Sequence, residues 1–147
     1  EVSYTLTGET YKYVDYNVHE TTYFVFKIRG TVGAQVGLFK EIRTSLAGVS
    51  FYEFVVGASN ARHPLLRLSE SSGVVTTNPS FPTVVYNATA FSTFWMSWQD
   101  HIMSLGFGAE PGKRLIFTYD SRASPMEINH LGFQSYQSDT HTFTYYN

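Results

Sequence analysis

The chain has 147 residues, of which 43% are hydrophobic, 17% aromatic and only 15% charged; this excludes disorder and fits one domain, residues 1–147, with a sizeable core. Ten Lys and Arg against twelve Asp and Glu give a net charge of −2, which leaves no electrostatic footprint for nucleic acid or an anionic membrane, so neither is an expected partner. Cysteine is absent, so disulfides, thiol nucleophiles and Cys-based zinc sites are excluded, and no apolar run reaches the roughly 18 residues that span a bilayer.

The chain starts at Glu1, as a mature secreted protein does after its signal peptide is removed. Secretion is therefore the expected localisation. The first confident strand is "TTYFVFKIRG", where Phe24, Phe26 and Ile28 point one way and Tyr23, Val25, Lys27 and Arg29 the other. "AQVGLFKEI" and "SFYEFVVGA" continue the pattern, bounded by Gly30, Gly33, Gly48 and Gly57. "HPLLRLS" follows, and then "SESSGVVTTNPSFP", residues 69–82, reads as a long loop or an irregular edge. "TVVYNA", "STFWMSW", "HIMSLGF", "KRLIFTY", "MEINHLGFQSY" and "HTFTYY" supply the remaining strands. Roughly ten or eleven short strands without a helical stripe predict an all-β fold, an antiparallel β-sandwich or jelly roll.

The segment "GFGAEPGKR" places Gly106, Gly108 and Gly112 before Lys113. A phosphate-cradling loop needs four residues between its glycines and a helix after them. Here three residues separate Gly108 from Gly112 and an alternating strand follows, so a hairpin turn is expected.

Ahead of it, Phe94, Met96 and Trp98 share one strand face while Trp95 and Ser97 share the other, so one tryptophan is expected to be core and one free. Trp98 leads into the short turn Gln99-Asp100-His101. An indole beside a polar turn suits a sugar ring, whose C–H face stacks while its hydroxyls find polar partners. Trp98 and Trp95 are thus candidate stacking platforms, with Asp100 and His101 beside them. Two further polar loops, "GASNARHP" with Asn60, Arg62 and His63 and "YDSRASP" with Asp120 and Arg122, complete the candidate ligand set. The five histidines show no metal-binding spacing and no nucleophile elbow is present, so no metal, cofactor or catalytic residue is expected. Asn87-Ala88-Thr89 is a glycosylation sequon.

Taken in order, "FVFKIRGTVGAQVGLF", "YEFVVGASNARHPLLR", "FWMSWQDHIMSLGFG" and "LIFTYDSRASPMEINHLGFQSY" resemble the invertebrate farnesoic acid O-methyltransferase domain family over about residues 22–136. The resemblance implies a β-sandwich and, through the family's name, methyl transfer. The family often has Asp-Gly where this chain has Asp100-His101, which implies a longer turn or a functional imidazole. The residues themselves predict neither the helices nor the glycine-rich strand-to-helix turn at which most S-adenosylmethionine enzymes bind their cofactor. The expected function is therefore a secreted, carbohydrate-binding, lectin-like protein without enzymatic activity. Its partners would be glycans, with a mild preference for galactose, and it would act as a homo-oligomer. A farnesoic acid O-methyltransferase-type enzyme and a protein-protein adhesion module are the alternatives.

Overall fold

The computed structural model describes residues 1–31, 33–46, 48–57, 64–68, 84, 87–123, 125–136 and 139–146, together with the backbone of 73–77. Among these residues twelve strands, numbered in chain order, form two six-stranded antiparallel sheets. The first sheet runs in the order β1 (Val2–Thr7), β12 (Thr140–Tyr145), β3 (Tyr23–Gly30), β8 (Ser92–Ser97), β9 (Ile102–Phe107) and β10 (Leu115–Asp120). The second runs β2 (Lys12–Val14), β11 (His130–Ser135), β4 (Ala34–Phe39), β5 (Phe51–Val56), β6 (Leu65–Leu68) and β7 (Gly73–Thr77). The all-β sandwich read from the sequence is the observed fold. Among the described residues the one helical element is the three-residue 3-10 turn Gln99–His101, and none of them forms a helix long and apolar enough to cross a membrane.

Period-2 alternation decides which side chains meet between the sheets. Phe24, Phe26 and Ile28 of β3 are completely buried or nearly so, as expected, and both phenylalanines pack against Phe133 of β11. Phe133 stacks on Phe143 of β12 with ring centroids 4.4 Å apart. Each such side chain contributes about 1.5–3 kcal/mol through burial, and one continuous apolar cluster joins both sheets.

The strands read from the sequence begin with "TTYFVFKIRG", yet β1 pairs with β12 over six residues and β2 borders β11. In β1 the inward Val2, Tyr4 and Leu6 are only half-buried and alternate with Ser and Thr. That weak local signal becomes a strand because the long-range partner satisfies its backbone. The stretch at 69–82 contains β7, which pairs with β6 through a register shift between Leu66 and Arg67, an irregular edge as expected. Of the strand expected over "TVVYNA", residues 83, 85 and 86 lie outside the described residues, and Val84, Asn87 and Ala88 belong to no strand.

Every residue of β4 and β5 is buried, including those on the outer face. Tyr11 covers part of that face, its ring crossing above Gly37 and Gly132, and the buried Gln35 pairs there with Gln134. A Cβ at either glycine would lie 2.9 or 3.0 Å from the ring. Tyr11 also packs edge-on against Phe39 and Phe51, at 5.0 and 5.7 Å. Its hydroxyl donates to Glu53 Oε2, and the other oxygen of this buried carboxylate accepts from Arg67. Burial first, and the Glu53 charge second, push the Tyr11 hydroxyl well above the usual phenol range.

Candidate functional site

The glycine-containing segment forms the expected hairpin turn. Gly108 and Gly112 take φ of 84° and 85°, Lys113 N–H donates to the Glu110 carbonyl at 3.1 Å, and strand β10 follows directly. The sequence reading did not foresee what this hairpin covers. The outward-facing Trp95 lies over Gly106, its direct cross-strand neighbour, and its indole N–H donates to the Lys113 carbonyl at 2.8 Å. Trp95 is consequently only 2% exposed on a face expected to be open.

Trp98 faces inward and belongs to the core at 8% exposure. Both indoles are therefore structural, which corrects the expectation that Trp98 or Trp95 offers a free stacking face. The physical reason is that a sandwich strand loses its open face wherever a neighbouring hairpin folds back over it.

The turn after Trp98 is as tight as a hairpin allows. The β8–β9 register leaves Asp100 and His101 as a two-residue loop, closed by Ile102 N–H donating to the Gln99 carbonyl. Asp100 and His101 take φ of 53° and 62°, the left-handed pair such a turn requires. The turn is thus not lengthened to suit histidine. The His101 carbonyl accepts from both Ser121 N–H, at 2.8 Å, and Ser121 Oγ, at 2.7 Å, which docks the turn against the residues leaving β10.

Two of the three polar loops therefore meet. Asp120 accepts from Arg122 through its backbone N–H at 3.0 Å and through Nε at 2.9 Å. These hydrogen bonds, reinforced by the Arg122 charge and the nearby His101, hold the exposed Asp120 carboxyl down at about 2. Asn60, Arg62 and His63 lie outside the described residues. Gly57, just before them, accepts from Gly33 N–H beyond the far end of β3, opposite the Asp100-His101 turn. At that far end Asn87 of the sequon is exposed, its side-chain oxygen accepting from Thr89 and Ala90 N–H.

Between the Asp100-His101 turn and the Gly108–Lys113 hairpin, the outer face of the first sheet forms a cleft of about 420 Å³. Its floor is a row crossing four strands, in which Tyr23 faces Ser97, Ser97 faces Ser104, and Ser104 faces Thr118. Ser104 Oγ donates to Thr118 Oγ1 at 3.3 Å. Gln99 borders the row on the turn side, while the exposed Tyr23 and Leu115, at 42% and 50%, stand at its margins. Asp120 lies two residues beyond Thr118 on the same strand face. Sequence reasoning missed Tyr23, Ser104 and Thr118 as site residues. Their parity was readable strand by strand, but the row exists only once four strands are set in register.

The family profile described as farnesoic acid O-methyl transferase matches residues 7–147. The chain belongs to the farnesoic acid O-methyl transferase family. The match extends the resemblance seen over 22–136 to nearly the whole chain, so the cleft and both of its bordering turns lie within the family's segment. No curated protein matches the chain. Among the described residues no three His, Asp or Glu side chains are grouped to hold a metal ion.

Proposed function

We propose that this member of the farnesoic acid O-methyl transferase family is a carbohydrate-binding, lectin-like module rather than an enzyme, and that a sugar sits on the outer face of the first sheet. The row Tyr23–Ser97–Ser104–Thr118 carries this reading. A hydroxyl both donates and accepts, so a line of Ser and Thr matches a ligand whose groups do the same. The exposed Tyr23 ring supplies the apolar surface on which the C–H face of a pyranose packs. Gln99, Asp100, His101, Asp120 and Arg122 would contact the ligand from the rim.

Binding needs no cofactor or metal in this reading. A shallow site binds weakly, so we expect several copies to act together, joined through the sheet edges at β1, β10, β2 or β7. An extracellular setting, where glycans are displayed, fits this role.

The family's name favours a second reading, methyl transfer to farnesoic acid. That chemistry calls for an S-adenosylmethionine site and an apolar slot for the isoprenoid. Among the described residues, two antiparallel sheets and a three-residue helical turn include no strand-to-helix turn of the kind that most such enzymes use.

A glycan array including galactosides, followed by calorimetry on Tyr23→Ala, tests the first reading. Binding should fall at least about tenfold in the variant, corresponding to about 1.4 kcal/mol, while its unfolding midpoint stays unchanged. An array without hits at high protein concentration, or full affinity in Tyr23→Ala, would remove this reading. Micromolar S-adenosylmethionine binding would install the second.

A further inference from the structure

We infer that Asn87 is a modification site, an acceptor that takes an N-linked oligosaccharide when the chain enters a secretory compartment. Of the two Asn-x-Ser/Thr triplets in the sequence, Asn78-Pro79-Ser80 is barred by its proline, which leaves Asn87-Ala88-Thr89 as the acceptor. This inference rests on the extracellular setting proposed above and is independent of the hydroxyl row and of what binds there.

The turn that carries Asn87 decides which half of its amide is free. Asn87 Oδ1 accepts from Thr89 N–H at 3.0 Å, from Thr89 Oγ1 at 3.2 Å and from Ala90 N–H at 2.7 Å. Two of these donors are backbone N–H groups, which an NH2 group cannot accept, so the oxygen is the atom turned into the loop. The amide is planar, and Nδ2 therefore points away from the loop. Among the described residues no hydrogen bond engages Nδ2. Residues 87–91 are exposed without interruption, which leaves room for a bulky substituent.

The attachment point is anchored, because Gly30 N–H at the end of β3 donates to the Asn87 carbonyl at 2.8 Å. Since β3 runs from Tyr23 to Gly30, at about 3.3 Å per residue the glycan is rooted roughly 23 Å from Tyr23 along the strand and leaves the hydroxyl row open. Phe91, 41% exposed, belongs to the same surface stretch, and the inner sugars would shield its ring. The transfer is a substitution at the anomeric carbon of a lipid-linked oligosaccharide pyrophosphate, the co-reactant of a membrane-bound transferase. Nδ2 forms the bond to C1 of the innermost N-acetylglucosamine as the bond from C1 to the pyrophosphate oxygen breaks. The lipid pyrophosphate leaves with that electron pair, and the amide nitrogen gives one proton to a base of the transferase. The transferase reads the hydroxyl of the third residue, so Ser can stand in for Thr89 and Ala cannot.

Expression of the full chain in insect cells behind a signal peptide tests the inference. Electrophoresis of the wild type, from medium and cells alike, should show a heavier species that peptide N-glycosidase F collapses to the unmodified mobility, and peptide mass spectrometry should place the resulting deamidation at Asn87. Asn87→Gln and Thr89→Ala should lose the heavier species, while Thr89→Ser should keep it. The shift is read on denatured protein, so a variant that fails to fold still reports. A wild type that enters the pathway without a glycan, or a shift that survives Asn87→Gln, overturns the inference. An unmodified chain that still binds glycans on the array leaves the lectin reading standing; a glycosylated chain without array hits removes that reading and leaves this one.

Discussion

Among single residues, His101 carries the clearest local cost. A side chain at φ of 62° crowds the following carbonyl, a penalty of roughly 1–2 kcal/mol that glycine avoids. His101→Gly should therefore raise stability by about 1 kcal/mol, visible as a higher urea midpoint with an unchanged slope. If the imidazole contacts the sugar, the same variant binds more weakly while folding better. Asp120 has its own signature. Because Arg122 depresses its carboxyl to about 2, the pair's contribution is present above the unfolded value of 3.8 and fades as pH falls through about 2. Carboxyl NMR titration should show that midpoint moving up toward 3.8 in Arg122→Gln. The polar character of Asp120, Ser121 and Arg122 was legible in the sequence. The capture of the His101 carbonyl by Ser121 was not, since it depends on two strands meeting.

Elements were legible where alternation was strong and illegible where a neighbour overruled it. Phe24, Phe26 and Ile28 identify the inner face of β3 without help. Trp95 obeys the same parity yet ends up buried, because the Gly108–Lys113 hairpin folds back over it while Gly106, its cross-strand neighbour, supplies the space. A Cβ at Gly106 would stand 2.3 Å from the indole. Gly106→Ala should thus destabilise the protein by about 1–3 kcal/mol and alter tryptophan fluorescence as the ring is displaced. Trp98→Ala should cost about 3–5 kcal/mol in denaturant unfolding, abolishing any binding through loss of fold rather than loss of a contact. On the opposite sheet, Tyr11 keeps its proton in the folded state above pH 10 while the unfolded chain gives it up. Stability should therefore decline as pH rises beyond 10, and Tyr11→Phe should flatten that decline.

For the molecule as a whole, composition and short alternating runs were enough to establish a sandwich of two antiparallel sheets. They could not show which outer face stays open, because that depends on where Tyr11 and the Gly108–Lys113 hairpin come to rest. The first sheet keeps its open strip between two turns, and this strip holds the row from Tyr23 to Thr118. The row runs at right angles to the strands, so equivalent hydroxyls recur at the interstrand step of about 4.8 Å. A polymer with a commensurate repeat could occupy several overlapping placements. Dissociation would then slow as the chain grows longer, because a guest shifting by one step exchanges partners instead of leaving.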